Sequence, residues 1–186
     1  MKGLTVLLML TLPLWSYPQG VFTNQTHSAL EVVLNDYPKH FRNIKGNLVN
    51  ADPQTTDFAS KVEIPGAINT VITRYSSSNE KEIYSWKSTL MENEDFDESA
   101  KRYKDIFSQL SNSIIKIEGE KPFILTGTYN TPTDEKRFNS SVLQLLPAAS
   151  GRLANVKVEL TMEFLVTEWK ISILVYDEDE EAFVMD

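Results

Sequence analysis

Two stretches near the C-terminus, residues 154–165 and 168–176, alternate apolar and polar side chains almost without a break. In the first, Val156, Val158, Leu160, Met162 and Phe164 share one face; in the second, Trp169, Ile171, Ile173 and Val175 do. A period of two with one apolar face marks an antiparallel strand covered on one side only. The very short connection makes the pair a hairpin. Whatever else the chain folds into, it must cover that face.

Two amphipathic helices are predicted as the cover. In the first, Ser28-Ala29-Leu30-Glu31 fits a capping box, and Leu30, Val33 and Leu34 follow at helical spacing. Pro38 ends or kinks it, Phe41 and Ile44 form a second short turn, and Gly46 suits a C-cap. The second and stronger helix starts at Asp95 or Asp97 and aligns Ala100, Tyr103, Phe107 and Leu110. Between the helices, residues 50–57 read as a polar loop, and 58–64, 68–75 and 82–91 as strands. Pro65-Gly66 and residues 76–79 supply the turns. In 82–91, Tyr84, Trp86 and Leu90 fall on one face, and Ser85, Lys87 and Thr89 on the other. After the second helix, 115–118, 123–130 and 137–146 repeat the strand pattern, with Pro122 and Thr131-Pro132 at the breaks. The expected fold is α+β: two helices on one face of an antiparallel sheet, in the order α-βββ-α-βββ plus the C-terminal hairpin.

The order suggests a tandem α-βββ duplication, with pseudo-repeats at 28–92 and 95–147. His40-Phe41-Arg42-Asn43-Ile44 can be laid over Arg102-Tyr103-Lys104-Asp105-Ile106, and Val62-Glu63-Ile64-Pro65-Gly66 over Ile115-Lys116-Ile117-Glu118-Gly119. Tyr75 then falls opposite Tyr129. Two amphipathic helices followed by hairpins produce the same likeness by chance, so both origins stand at this level.

The N-terminus reads as an export signal. Lys2 precedes an apolar run from Leu4 to Trp15, too short for a membrane span of about 20 residues. Cleavage is expected between Ser16 and Gly20, leaving 21–186 as one domain in the periplasm or medium, with no integral membrane association. The 186 residues carry a formal charge of −8, and losing Lys2 would make it −9. That balance disfavours nucleic acid and anionic lipid, whose recognition needs clustered Lys and Arg. With no cysteine, disulfides, thiolate catalysis and Cys-ligated zinc are excluded.

Other catalytic parts are sparse. His27 and His40 have no neighbouring ligand or carboxylate at metal-site or general-base spacing. No serine lies in a nucleophile elbow or a Ser-x-x-Lys box, and no phosphate loop or dinucleotide fingerprint is present. The acids at 92–98 suit a helix N-terminus, and the tail at 177–181 lacks the spacing of a Ca²⁺ loop. No catalytic residue, cofactor or metal is therefore assigned. A hydrolase would need two or three polar groups converging in a cleft, for example Glu63, His40 and a distant serine, and a carrier would need loose packing around Leu160, Met162 and Trp169.

The polar side of the sheet is the remaining candidate. Ser85, Lys87 and Thr89, with Lys157, Glu159, Thr161, Lys170 and Ser172, are expected to line its uncovered face. Val62-Glu63-Ile64-Pro65-Gly66-Ala67 and Tyr84-Ser85-Trp86, leading to Asp95-Phe96-Asp97-Glu98 and Tyr103-Lys104, carry a resemblance over residues 28–112 to uncharacterised exported proteins of Bacteroidota. It implies a periplasmic or secreted setting and no activity. The layout is also loosely similar to β-lactamase-inhibitor-type and BamE-type envelope modules, a likeness of fold alone. The expected function is an exported, non-enzymatic module whose open sheet face binds an unidentified protein or envelope component. The alternatives are a small-molecule or lipid carrier, or a small hydrolase with a cleft between helix and sheet.

Overall fold

The two alternating C-terminal stretches pair near the centre of a single sheet. The computed structural model describes residues 21–76 and 83–178; the expected export signal at 1–20, residues 77–79 of the expected turn and the tail beyond Glu178 lie outside them. The described chain runs α1 (Val21–Asp36), a 3-10 turn at Tyr37–Lys39, β1 (Lys45–Ala51), β2 (Thr55–Ser60), β3 (Asn69–Tyr75) and β4 (Ile83–Asn93). It continues through α2 (Phe96–Leu110), β5 (Ile114–Ile115), β6 (Phe123–Gly127), β7 (Phe138–Leu146), a 3-10 turn at Gly151–Leu153, β8 (Val156–Leu165) and β9 (Glu168–Asp177). The sheet order is β1-β2-β3-β4-β9-β8-β7-β6-β5, and every neighbouring pair is antiparallel. The α+β class and the antiparallel sheet agree with the sequence reading; the element order does not fully.

One core joins both helices to one sheet face. From α1 come Leu30, Val33 and Leu34; from α2, Tyr103, Ile106, Phe107 and Leu110. Trp86, Val158, Leu160, Met162, Ile171 and Ile173 meet them from the sheet. The α2 start is as expected: the Asp95 carboxylate accepts from the Glu98 N–H at 2.8 Å. Tyr103 sends its hydroxyl to Ser141 Oγ at 2.8 Å, so this buried phenol ties α2 to β7.

Four local expectations are corrected. Helix α1 begins at Val21, so Ser28 is interior and not a cap. Glu31 instead accepts from the Lys116 N–H at 2.8 Å. Gly46 lies within β1, where an added Cβ would sit 2.8 Å from the Ala59 carbonyl oxygen; glycine permits close strand pairing there instead of capping a helix. The loop expected at 50–57 is mostly strand, and the strand expected at 58–64 already ends at Ser60. A bulge between Thr89 and Met91 also shifts the pairing of β4, so Met91 is opposite Ile171 across the ladder, while Leu90 packs against the core as expected. The first half therefore has four strands, and its order departs from the simple α-βββ unit.

The turn out of α1 is held by a buried carboxylate. Asp36 accepts from the N–H groups of Asn43 at 2.8 Å and Ile44 at 3.1 Å. These bonds close a turn in which His40 and Phe41 both adopt left-handed backbone, φ 55° and 54°. Burial of Phe41 in the core holds it there.

Candidate functional site

Strand register places the eight predicted face residues on the same side of the sheet, opposite the helices. Thr89 pairs with Ser172, Ser172 with Thr161, Lys87 with Leu174, and Leu174 with Glu159. Ser85 and Lys87 flank Trp86 on β4, while Lys157 pairs with Tyr176 and Lys170 with Glu163. The central strands β4, β9 and β8 thus bring together all eight.

The face is less wet than its composition suggests. Ser85, Thr161 and Ser172 are buried although neither α1 nor α2 covers them. Their hydroxyls bond within the sheet: Thr89 Oγ1 to Ser172 Oγ at 3.2 Å, and Tyr75 to Ser85 at 3.2 Å. Longer side chains close over them in ion pairs, Lys87 with Glu163 at 3.2 Å, Lys170 with Glu92 at 2.8 Å and Lys157 with Glu178 at 2.9 Å. The Glu92 carboxylate, with Glu168 and Glu163 nearby, holds the Lys170 ammonium charged to higher pH than usual.

A groove of about 240 Å³ opens on this face. Its floor is β8, with Glu159, Thr161 and Glu163; Phe138 forms one wall, and Leu174, Tyr176 and Lys87 the other. Burial pushes the Tyr176 phenol up, and its hydrogen-bonded neighbour Glu159 pushes it further. The phenol stays protonated and can donate to the carboxylate.

Beyond the groove the face turns apolar. Phe138 is 55% exposed. Ile114, Ile124 and Leu146 stand beside one another by register across β5, β6 and β7, and all are exposed. Val142, beyond Gln144 on the same face of β7, is exposed as well and pairs with Glu159. Sequence reasoning missed Phe138, Val142, Leu146, Glu163, Leu174 and Tyr176. The signal was present in residues 142–146, Val-Leu-Gln-Leu-Leu, where both strand faces carry apolar residues.

The other candidates are not assembled. His40 and Glu63 are both exposed, and the His40 ring rests on Tyr84, 5.3 Å between centroids. His27 hydrogen-bonds the Ile114 carbonyl and lies 3.6 Å from Glu31. No group of three potential metal ligands occurs among the described residues. Leu160 and Met162 are fully buried, and Trp169 is wedged between Phe96 and Phe164, 5.2 and 5.1 Å away. A carrier's cavity would have to lie elsewhere than around these three residues. Among the described residues, no helix is long and apolar enough to cross a membrane. No family model, curated protein or solved structure matches the chain.

Proposed function

We propose that the chain is an exported, non-enzymatic interaction module that binds a protein or other envelope component through the sheet face opposite its helices. One observation carries the reading: Ile114, Ile124 and Leu146 stand exposed side by side, with Val142 and Phe138 farther along β7 beside a polar groove, on the sheet face opposite α1 and α2. Clustered exposed apolar residues on a regular element are what protein interfaces use and what isolated surfaces avoid. The apolar run after Lys2 supports the periplasm or the medium as the setting.

The chain reads further as two α-βββ halves joined through the hairpin. From the β8–β9 hairpin outward the order is β4, β3, β2 on one side and β7, β6, β5 on the other, with β1 added at one edge. The segments aligned by sequence end alike. Ala67 N–H bonds the Ile64 carbonyl at 2.9 Å with Gly66 at φ 83°, and Glu120 N–H bonds the Ile117 carbonyl at 3.1 Å with Gly119 at φ 82°. A duplication of this kind would make the interaction face a product of joining two sheets.

The test is site-specific photo-crosslinking in the native envelope and medium. A crosslinker at Gln144, inside the patch, is compared with one at Lys104, exposed on α2. A discrete adduct from Gln144 alone is expected. Equal labelling at both positions, or none at Gln144, would remove the interaction face.

A further inference from the structure

The groove has a chemical bias that specifies its partner more closely. Three ammonium groups on this face are matched to three carboxylates: Lys87 to Glu163, Lys170 to Glu92 and Lys157 to Glu178. Glu159 remains, with the Tyr176 hydroxyl as its neighbour and no cation within ion-pair distance among the described residues. The whole chain is negative as well, with a formal charge of −8. A ligand entering this groove therefore meets surplus negative charge at the floor and apolar or aromatic walls.

We infer that the groove receives a lysine or arginine side chain from a basic segment of a partner protein, with Glu159 as its carboxylate and an adjoining apolar side chain of the segment on Val142. This rests on the interaction-face reading above. Such a side chain fits both parts of the groove. Its alkyl stem lies against Leu174 and Phe138 while its head reaches the carboxylate, and the Tyr176 and Phe138 rings attract a cation over their faces. The size favours a side chain over a free ligand, since about 240 Å³ falls below the roughly 300–1,000 Å³ of small-molecule pockets. Val142 pairs directly with Glu159 across β7 and β8, so a residue beside the cation meets the start of the apolar patch.

The experiment titrates the mature chain with acetyl-Leu-Arg-Leu-Arg-Leu-Arg-amide, its Leu-Glu counterpart and free argininamide, by anisotropy and amide chemical shifts. The basic hexapeptide is expected to bind, weaken with added salt and perturb the amides of Phe138, Glu159 and Tyr176. Glu159→Gln should weaken it about tenfold, whereas Asp105→Asn, the same charge change on exposed α2, should leave it unchanged. Phe138→Ala, at an exposed position, should also weaken binding and serves as the second variant if Glu159→Gln misfolds. Equal binding of the acidic hexapeptide or of argininamide, equal losses in Glu159→Gln and Asp105→Asn, or shifts confined to other surfaces would overturn the inference. A Gln144 crosslink to a partner, with no binding of the basic hexapeptide, would leave the interaction face standing and remove only the basic segment.

Discussion

Asn35 stands in for a strand beside Lys116. Its side-chain Nδ2 donates to the Lys116 carbonyl at 2.9 Å, while its Oδ1 accepts from the Glu118 N–H at 2.8 Å. Glu31, one helical turn earlier, accepts from the Lys116 N–H at 2.8 Å. Helix α1 thereby caps the β5 edge of the sheet with side chains and leaves β5 only two residues long. An edge blocked in this way is protected from pairing with another chain.

Asn35→Ala should remove that protection. Three hydrogen bonds are lost at a partly exposed site, the two to the edge and one to the Glu31 carbonyl at 2.7 Å, so the cost is expected at about 1–2 kcal/mol. Hydrogen exchange at the Lys116 and Glu118 amides should accelerate while the β8 and β9 amides keep their protection. Equal acceleration throughout would mean that the edge does not open separately from the core.

Trp86 should be the most costly residue to truncate on β4. It is fully buried, and its indole N–H donates to Ser60 Oγ at 3.1 Å. Trp86→Ala is expected to lose about 3–5 kcal/mol in urea unfolding. Tyr84 and Phe107 are also buried and should follow the same order of magnitude on truncation. Losses below about 1 kcal/mol at all three would contradict the assigned inner face.

How far this fold could be read from sequence depended on where each element's partners lie. The hairpin β8–β9 and helix α2 carry their own signals: strict alternation through Val156 to Phe164, and an Asp95 cap before a Tyr103–Phe107–Leu110 stripe. Strand β1 carries none, because at the sheet edge Leu48 and Val49 both remain exposed and no alternation is needed. The early end of β5 depends on Asn35 and Glu31, some eighty residues away, which local periodicity does not encode. Parity along β4, β8 and β9 placed all eight polar face residues together. It did not reveal the wall at Phe138, which depends on the pairing of Phe138 with Glu163 between β7 and β8.

Ser99 offers a substitution in the opposite direction. It is fully buried on α2, and its hydroxyl has no hydrogen-bond partner among the described residues. A buried, unpaired hydroxyl costs about 1–3 kcal/mol in desolvation. Ser99→Ala removes it and favours the helix, so stability should rise by about 1 kcal/mol. A clear loss of stability in the same urea series would show that the hydroxyl has a partner in solution.

Alkaline pH should weaken the fold through its tyrosines. Burial pushes the Tyr103 phenol up from its ordinary 10.0 to about 12, and burial also raises Tyr75, Tyr129 and Tyr176. The folded state thus holds these protons more tightly than the unfolded state. Their stabilising contribution is complete below pH 10 and is lost as pH rises through the Tyr103 value near 12. The urea midpoint should therefore fall across that window. Tyr103→Phe should be less stable at pH 8, having lost the Ser141 bond, yet show a shallower alkaline decline. An unchanged slope would assign the decline to the other phenols.

Among the described residues, the hairpin tip holds the clearest backbone strain. Val166 follows the last β8–β9 pair, Leu165 with Glu168, and adopts φ 60° while 95% exposed. A β-branched residue is disfavoured there because its Cβ crowds the backbone, and two-residue hairpin turns prefer glycine at such a position. The side chain buries almost nothing in return. Val166→Gly should raise stability by about 1 kcal/mol, the strain relieved exceeding the added freedom of the unfolded chain. An unchanged urea m-value would locate the gain in the native turn. Lower stability for Val166→Gly would show that the left-handed valine is not strained, or that the turn differs in solution.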